Sequence, residues 1–568
     1  MNFRENVNLL GCANQGGRTR FDIMLASLTP TLYNTPQMHV FLTIAAQKKM
    51  TTNLAKATST VGSMTLMSRI LGFVRDMVTA QIFGAGAGYD AFLVAFKIPN
   101  FMRSLFAEGG FSQAFVPLLS EQQTKTSHAE VKDFVSKVAG CLGLVTLLVT
   151  LLGMLGAPYV IRVFAPGFSD DLNRFQLAID LLYITLPYLL LISLTAFSGG
   201  ILNTYNRFAV PAFTPTLLNV AMILSCLLLT PWFDEPIKAL AWGVFLGGVL
   251  QLLFQIPFLW QLNLLPRFKI AFGDARVKRL LKMMLPALIG LSVVQINLLL
   301  STVFASFLPT GSLSWIYYAD HLMQFPLGVF GIALATAVLP HLSKHHVQGH
   351  HQHYLSSLNW ALRTVLLIGV PAAIGLFCLS LPLMTTLFHY GRFSAFDIMQ
   401  STPVLQALAV GLVWFILVKI LGAAFYARQD IKTPMYVAIV ALITNIVLSY
   451  IFMQYWQHVG LAIAMVCSST VNALGMWIIL QRRRIFSFAG GWLPFLARLI
   501  VAAGLMIAWL MYGSGESGHW FDLHWSTRVM KLAYLIVVGA AIYFVALWLT
   551  GLRMHHIRPP AVSLPASS

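Results

Sequence analysis

The sequence predicts an all-α membrane protein built from about fourteen transmembrane helices. Of its 568 residues, 58% are hydrophobic and only 10% are charged, and the mean hydropathy is +0.75. A soluble domain carries roughly 25% charged residues. Apolar runs such as 138–155 and 533–549 recur along nearly the whole chain, and one membrane helix needs about 20 mostly apolar residues. A β-barrel would instead show short alternating segments.

Each apolar run that is bounded by charged residues, proline or glycine predicts one span. Several runs exceed 25 residues, which fits tilted helices or helices that extend along the membrane surface. The predicted spans are 60–83, 89–119, 133–158, 175–203, 211–231, 238–263, 280–307, 312–342, 358–388, 401–426, 435–454, 459–481, 492–512 and 529–552.

The net charge of +18 would suit a nucleic-acid partner, but its distribution argues against one. The loops after even-numbered spans are rich in Lys and Arg, as at Arg482–Arg484, whereas loops after odd-numbered spans are short or acidic, as at Asp170–Asp171 and Asp234–Glu235. Cytoplasmic loops carry the excess of Lys and Arg. We therefore expect both termini in the cytoplasm, no nucleic-acid partner and no catalytic domain outside the membrane.

A weak internal repeat predicts two six-helix halves. Residues 114–120 (AFVPLLS) resemble 337–343 (AVLPHLS), and Tyr205 and Arg207 recur as Tyr426 and Arg428, at offsets of 223 and 221. Chance similarity between apolar segments is the alternative. Six spans restore the starting orientation, so the halves would be parallel repeats around a central site, as in many transporters. The predicted regions are 50–275 (N-lobe, helices 1–6), 276–485 (C-lobe, helices 7–12) and 486–568 (helices 13–14 and a cytoplasmic tail).

Residues 1–49 differ from the rest in their mixed polarity. They lack the apolar core and the small-residue cleavage pattern of a signal peptide. We expect either that Met50 is the natural start or that residues 1–49 form a disordered leader.

Charged residues at membrane depth are the most informative feature of the first two spans. An Arg at a helix centre costs about 2.5–3.5 kcal/mol, so these side chains must face protein or water. The charged residues at this depth are Arg69, Arg75 and Asp76 in span 1, and Asp90, Lys97, Arg103 and Glu108 in span 2.

Two interpretations of these charges stay open. Arg69 and Asp76 share one helix face and could pair, as internal ion pairs that hold helices together would. Alternatively, because cations exceed anions by one and guanidinium groups bind phosphate oxygens in a bidentate way, the charges could line an anion-binding cavity.

The histidines and cysteines give weaker indications of function than the charges in the first two spans. His321, beside Asp320, is either a core residue or a titrating group. The six histidines within 341–353 could attract a transition metal but fix no coordination geometry, so a solvated loop is favoured. The five cysteines show no paired spacing, which predicts inert thiols. We expect no cofactor and no metal.

Long ordered motifs carry a family resemblance from about residue 50 to about residue 555. They are SRILGFVRD (68–76), the stretch from Ile82 to Glu121, PAFTPTLLN (211–219), SWIYYADHLMQFPLGVFGIAL (314–334) and FYARQDIKTP (425–434). On these motifs the chain resembles the MurJ (MviN) lipid II flippases of the multidrug/oligosaccharidyl-lipid/polysaccharide exporter superfamily.

The resemblance implies an inner-membrane protein that flips lipid II, the undecaprenyl-pyrophosphate-linked peptidoglycan precursor, to the outer leaflet by alternating access. It also implies that the last two helices hold the polyprenyl tail. By motif, substrate-binding residues fall on Arg69, Arg75 and Arg103 with the acids Asp76, Asp90 and Glu108, and on His321.

This chain departs from the family pattern in the second half. The family commonly has Arg where His321 stands and an acid where Gln324 stands, and it often has a second Arg at the position of Ser104. The departure puts the second-half phosphate contact in question. His321 could supply it if protonated, or Lys419 and Arg428 could contribute.

Three other functions stay open. They are export of another polyprenyl-linked glycan, cation-coupled antiport of a small molecule, and a membrane enzyme that processes polyprenyl phosphates. Sodium, protons and membrane potential are all compatible energy sources.

Overall fold

The regular secondary structure in the described part of the chain is entirely helical. The computed structural model describes residues 36–104, 110–488, 490–516 and 518–553, with side chains described except at 36–59, 110, 285–294, 298 and 332. The chain divides into two compact units, Met1–Leu66 and Met67–Ser568. In the first unit the described part is helical, and every contact discussed below lies within the second.

Two of the described connections between helices of the first half are single 3₁₀ turns, at Pro166–Asp170 and Thr230–Trp232. The α-helices are α1 (Pro36–Phe83), α2 (Ala87–Arg103), α3 (Gly110–Lys125), α4 (His128–Leu155), α5 (Ala157–Phe164), α6 (Leu172–Thr185), α7 (Tyr188–Thr204), α8 (Ala209–Leu228) and α9 (Lys238–Gln261).

The second half begins with a long helix and includes one π-helical turn, Leu327–Ile332, directly after Pro326. Its α-helices are α10 (Ala275–Ser306), α11 (Ser312–Pro326), α12 (Ala333–Val347), α13 (His351–Cys378), α14 (Ser380–Phe388), α15 (Ala395–Tyr426), α16 (Lys432–Arg482), α17 (Trp492–Ser514), α18 (His519–Asp522) and α19 (Trp525–Leu549).

Polar caps outside the apolar runs start several helices. Ser127 and Glu130 form a capping box at the start of α4, and Ser394 and Asp397 form one at the start of α15. Asp274 caps α10 by accepting a hydrogen bond from the backbone N–H of Arg276 at 2.8 Å. Such caps satisfy backbone donors that have no partner inside the helix.

Small residues let neighbouring helices pack closely. A Cβ on Gly243 of α9 would lie 2.9 Å from the Cα of Met222 on α8, and a Cβ on Gly247 would lie 3.2 Å from the Cα of Leu218. Side chains at these positions would push α8 and α9 apart, which is why small residues are common at such interfaces in membranes.

The all-α membrane class is confirmed. In the described residues, ten helical segments are long and apolar enough to cross a membrane. One of them, α16, contains two predicted spans, which are divided at Gln457, where the backbone turns sharply (φ 47°, ψ −125°). The number fourteen stays approximate, and the division into N-lobe, C-lobe and C-terminal helices stays a prediction.

The sequence-repeat motifs fall on matching elements of the two halves. Residues 114–120 lie in α3 and residues 337–343 in α12, each helix with an internal proline (Pro117 and Pro340). The two tyrosines of the second motif end α7 and α15. This agreement supports the two-half plan.

Candidate functional site

Two faces of α1 contact different halves of the chain. Ser68, Gly72 and Arg75 follow one another at helical spacing and face Asn219 of α8. The Asn219 Nδ2 atom donates to the Ser68 carbonyl at 3.1 Å, and a Cβ on Gly72 would lie 3.5 Å from that nitrogen. The absence of a side chain at Gly72 thus lets α8 approach α1 beside Arg75.

The Arg75 guanidinium is shared among three partners. Its Nε and Nη2 atoms donate to Asp76 Oδ1 at 3.0 and 2.6 Å. Nη1 donates to Asn219 Oδ1 at 3.1 Å, and Nη2 also donates to the hydroxyl of Tyr317 on α11 at 3.0 Å. One side chain therefore links α1 to α8 in the first half and to α11 in the second.

Asp76 is the centre of this network and is 1% exposed. Besides Arg75, its Oδ1 atom accepts a hydrogen bond from the Tyr317 hydroxyl at 3.1 Å. Its Oδ2 atom lies 2.8 Å from Nδ1 of His321, one turn further along α11. A buried carboxylate is costly unless it is paired and hydrogen-bonded, and here partners from both halves supply what it needs.

His321 is more accessible than the two charged residues it joins, with its side chain 33% exposed against 12% for Arg75 and 1% for Asp76. Its ring packs against Tyr317 with centroids 4.2 Å apart. The imidazole therefore stands where the buried carboxylate could exchange a partner with a bound molecule.

Arg69 does not pair with Asp76, so the predicted pairing of these two residues is wrong. The Asp76 oxygens are taken by Arg75, Tyr317 and His321. The Arg69 guanidinium instead lies directly against Gly328 in the π-helical turn, where a Cβ would overlap it. Among the described residues Arg69 has no ion-pair partner.

The charges on α2 are dispersed. Arg103, at the end of α2, donates to Asn100 Oδ1 at 3.3 Å and has further partners. Lys97 interacts electrostatically with Asp320 of α11, which also accepts a hydrogen bond from Gln324 at 2.5 Å. Glu108, the remaining predicted acid, lies outside the described residues.

Asp90 belongs to a separate, fully buried cluster. Its side chain forms an ion pair with Arg174 of α6 at 2.8 Å. It also caps α11 by accepting hydrogen bonds from the backbone N–H groups of Gly311 and Ser314 at 2.7 and 2.9 Å and from the Ser314 hydroxyl at 2.5 Å. Because these partners occupy both oxygens, Asp90 connects helix ends of the two halves and is not left open to a ligand.

Aromatic rings lie between the Asp76 network and the Asp90 cluster. Tyr89 stacks on Tyr318 with centroids 5.3 Å apart, and Tyr318 also contacts Phe388 and Phe393 at 5.0 and 5.2 Å. Thr79 lies 3.4 Å from both tyrosine hydroxyls. Within the described residues, these side chains fill the space between the halves at this level.

Backbone contacts join the two halves of the chain on the side of the molecule where Asp90 lies. The N–H of Arg392 donates to the carbonyl of Gln81 at 2.9 Å. A Cβ on Gly84 would lie 2.6 Å from the carbonyl oxygen of Arg392. Gly84 has a positive φ of 66°, a conformation that glycine adopts at little cost. We call this group of contacts the seam (residues 81–90, 311–314 and 391–393).

The structure thus brings together Arg75, Asp76 and His321, and places Arg69, Arg103 and Asp90 in other surroundings. Tyr317 and Asn219, which complete the network, were not predicted. Both lie inside motifs that carry the family resemblance, but an uncharged polar residue in an apolar helix gives no signal at membrane depth comparable to that of an arginine.

The histidine-rich segment forms the end of α12 and the start of α13. The rings of His345 and His353 stack with centroids 5.4 Å apart. Among the described residues, no group of three or more His, Cys, Asp or Glu is arranged to hold a metal ion. Cys141, Cys226, Cys378 and Cys467 are free thiols.

The fold defines the class of protein first. It matches a solved structure described as the inward-facing conformation of a multidrug resistance MATE family transporter of the MOP superfamily, with a TM-score of 0.62 and 16% identity over 75% of this chain and 97% of the other. This likeness shows a shared fold.

A closer set of similarities specifies the family. The family model "Lipid II flippase MurJ" matches residues 79–534. A structure described as lipid II flippase MurJ in an inward closed conformation has a TM-score of 0.72 and 27% identity over 86% of this chain and 99% of the other. A "probable lipid II flippase MurJ" from Haemophilus influenzae is 45% identical over 507 residues, 87% of this chain and 99% of the relative. The chain belongs to the MurJ family.

Proposed function

We propose that this protein is a lipid II flippase, which moves the undecaprenyl-pyrophosphate-linked peptidoglycan precursor from the inner to the outer leaflet of the bacterial inner membrane. The observation that carries the proposal is the similarity along 99% of a relative that is itself named a probable lipid II flippase. The flipping step breaks no covalent bond, so the protein acts as a transporter and not as an enzyme.

Unevenly paired cations support an anionic substrate. Arg69 and Arg75 lie on an apolar helix at the boundary between the halves, and Arg69 has no carboxylate partner among the described residues. Guanidinium groups bind phosphate in a bidentate way. In this proposal Arg69 makes the first contact with the diphosphate, Arg75 and His321 reach it by exchanging partners with Asp76, and Arg103 contributes from α2.

In this mechanism the Asp76 carboxylate accepts, in the empty protein, the hydrogen bonds from Arg75 that the substrate diphosphate accepts once it is bound. A carboxylate and a phosphate oxygen accept the same hydrogen bonds from Arg75. When the diphosphate takes these donors, the link between α1 and α11 is released. Binding energy can then favour rearrangement of the halves, because a ligand shifts an equilibrium only by its difference in affinity for the two states.

The contacts of the seam support alternating access in a state where the space between the halves is closed at the Asp90 end. We assign the seam to the periplasmic side, because the loops near it are short or acidic and the basic loops lie at the opposite ends of the helices, as the excess of positive charge in cytoplasmic loops requires. Both termini are then cytoplasmic, and the six-helix halves 50–275 and 276–485 move against each other. The C-terminal helices α17 and α19 hold the polyprenyl tail.

The test is depletion of this protein in the parent bacterium while lipid II exposed at the outer face is measured with a membrane-impermeant label. We expect exposure to fall and to return with the wild-type gene. Arg69→Ala should fail to restore it at normal membrane levels, whereas Arg482→Ala, which removes an exposed charge at a helix end, should restore it. Unchanged exposure after depletion in a strain without a second flippase would refute the proposal.

A further inference from the structure

A second charged cavity lies on helices other than those of the Asp76 network. It has a volume of about 330 Å³ and lies where α13 meets the start of α17 and the segment after α19. Arg363 of α13 and Arg498 of α17 line it, together with the backbone of Gly490 and Gly491. The described lining residues include no acid, so the cavity is cationic.

The two arginines use few of their hydrogen-bond donors. Arg363 Nη2 donates to the carbonyl of Gly490 at 2.8 Å, and Arg498 Nη1 donates to the carbonyl of Gly551 at 3.4 Å. The Nε atom of Arg363 is buried without a hydrogen-bond partner. Each guanidinium has five N–H donors, and in the described part of the chain neither pairs with a carboxylate. Two cations without a carboxylate at one cavity favour an anionic ligand.

Aromatic rings hold one of the cations in place. The Arg363 guanidinium lies over the rings of Trp492 and Phe495, 5.3 and 5.8 Å from their centroids. Such contacts attract a cation and restrict its orientation. Arg363 is therefore oriented before any ligand arrives, which lowers the entropy that binding costs.

The start of α17 contributes a further positive field. This helix is 23 residues long and begins after Gly491, whose φ is +84°, with no side-chain cap. Its first backbone N–H groups therefore lack a capping acceptor, and a helix N-terminus favours anions. Gly491, Pro494 and Phe495 place this terminus in the cavity wall beside the two arginines.

The surroundings of the cavity indicate where the anion comes from. Leu493, Ile500 and Leu549, on the two helices whose ends form the cavity, are 81, 70 and 69% exposed. On a membrane protein such side chains contact acyl chains. A cationic pocket at helix ends, beside a lipid-facing apolar surface, suits the headgroup of a lipid whose tails stay in the bilayer.

We propose that the Arg363–Arg498 cavity binds the phosphate of an anionic glycerophospholipid. The phosphate lies between the two guanidinium groups and the start of α17, and the acyl chains lie along the exposed side chains of α17 and α19. The lipid thus ties α13 to α17 and α19, away from the Asp76 network and next to the polyprenyl tail that the proposed function places on the same two C-terminal helices.

Native mass spectrometry of the purified full-length protein tests this proposal. The probes are dioleoyl phosphatidylglycerol and dioleoyl phosphatidylcholine, which share tails and differ in headgroup charge. We expect the wild type to retain more of the anionic lipid. Arg498→Gln should lower its retention about fivefold, the effect of one cationic contact near a membrane surface. Arg482→Gln, which removes an exposed charge at the end of α16, should leave retention unchanged.

Further arms of the experiment separate the possible sources of phosphate. Millimolar inorganic phosphate should not displace the anionic lipid, and displacement would show that the cavity takes a free anion and would overturn the lipid assignment. Equal retention of the two lipids by the wild type overturns the proposal without any variant. Equal losses in Arg498→Gln and Arg482→Gln overturn it as well.

Discussion

Arg75 and Asp76 pair although they are neighbours in sequence. Adjacent positions on a helix do not face each other, so the guanidinium must turn back along α1 to reach the carboxylate. That orientation leaves Nη1 and Nη2 able to donate to Asn219 and Tyr317, 144 and 242 residues away. A guanidinium has five donors in a rigid planar fork spread over three nitrogens, whereas a lysine has three donors on a single nitrogen.

Replacing Arg75 should therefore destabilise the protein strongly. In Arg75→Gln the Asp76 carboxylate stays buried with only Tyr317 and His321, and removing one partner of a buried ion pair costs about 3–5 kcal/mol. Thermal unfolding in detergent should show a clearly lower midpoint than for Arg482→Gln, which removes an exposed charge. Equal midpoints would mean that the pair contributes nothing to stability.

His321 gives a second test at the residue scale. His321→Arg places a cation beside Asp76, and the family resemblance implies Arg at this position, so we expect the variant to support growth of a strain depleted of its own flippase. His321→Leu removes the imidazole that lies 2.8 Å from Asp76 and should not support growth. His350→Leu is the matched control at an exposed histidine, and robust growth of His321→Leu would exclude a role for the imidazole.

The charged members of this network could be predicted and the neutral ones could not. Arg75, Asp76 and His321 stand out because charged or titratable groups are costly in an apolar helix. The sequence did not identify which charges meet: Arg69 and Asp76 lie on one helix face, but contacts from α11 decide the pairing. Such contacts depend on how distant helices pack, which helical periodicity does not contain.

At the scale of elements, α1 packs between α8 and α11, and the π-helical turn after α11 leaves room for the Arg69 side chain. The sequence predicted one span over 312–342, and one helical segment, Ser312–Val347, covers these residues. A π-helical turn lies inside this segment directly after Pro326, since proline cannot supply a backbone hydrogen bond. The π turn and the missing side chain at Gly328 give the guanidinium its place.

Gly328→Ala should alter function more than stability. A Cβ there would displace the Arg69 guanidinium, which is flexible and can move away at small cost. We expect near-normal thermal unfolding but poor growth of a depleted strain. Gly504→Ala, where a Cβ would meet no atom within 4 Å, should grow normally. Full growth of Gly328→Ala would show that the position of Arg69 does not matter.

Asp274 connects the segment before α10 to α4. It forms ion pairs with Arg276 at 3.2 Å and with Lys137 of α4 at 2.8 Å. Hydrogen bonds from Arg276 hold the pKa of Asp274 well below its ordinary value, and Lys137 adds to this although burial opposes it. The carboxylate therefore stabilises the fold at every pH above its unfolded pKa of about 3.9.

Asp274→Asn should accordingly lower the unfolding midpoint at pH 7 and by the same amount at pH 6. The difference between wild type and variant should shrink as the pH falls below about 4 toward the lowered folded-state pKa, because the wild-type carboxylate then becomes protonated. Differential scanning of both proteins from pH 7 downward measures this. A difference that grows on acidification would contradict the assigned sign.

On the scale of the whole molecule, the seam and the Asp76 network join the two halves at two levels. The repeated motifs predict two halves, and residues 114–120 and 337–343 lie in α3 and α12, but the division into lobes stays a prediction. The seam could not be inferred. Gly84, Asp90 and Arg392 belong to loops and helix ends whose meeting depends on the conformational state as well as on the fold.

Ser314→Ala should make the seam open more often. The Ser314 hydroxyl donates to Asp90 Oδ1 at 2.5 Å, and a hydrogen bond to a charged group contributes about 1.5–3 kcal/mol. A cysteine at position 85, in a background without the five natural cysteines, should react at least about tenfold faster with a membrane-impermeant thiol reagent.

The matched control for this prediction is Ser380→Ala. The Ser380 hydroxyl bonds the Phe377 carbonyl within one helical turn, so its loss should leave the labelling rate unchanged. Equal labelling rates in the two serine variants would show that the Asp90 cluster does not hold the seam closed.

In the proposed mechanism, Asp90 also limits how often the seam opens while no substrate is bound. Opening the seam separates Asp90 from its three donors at the start of α11. If water replaced all but about 2 kcal/mol of those hydrogen bonds, roughly 3% of empty molecules would be open at equilibrium. An idle flippase would then rarely expose its interior to the outer face, and ions and other lipids would find few openings. In the proposed mechanism, the Asp90 hydrogen bonds therefore also prevent leakage across the membrane while no substrate is bound.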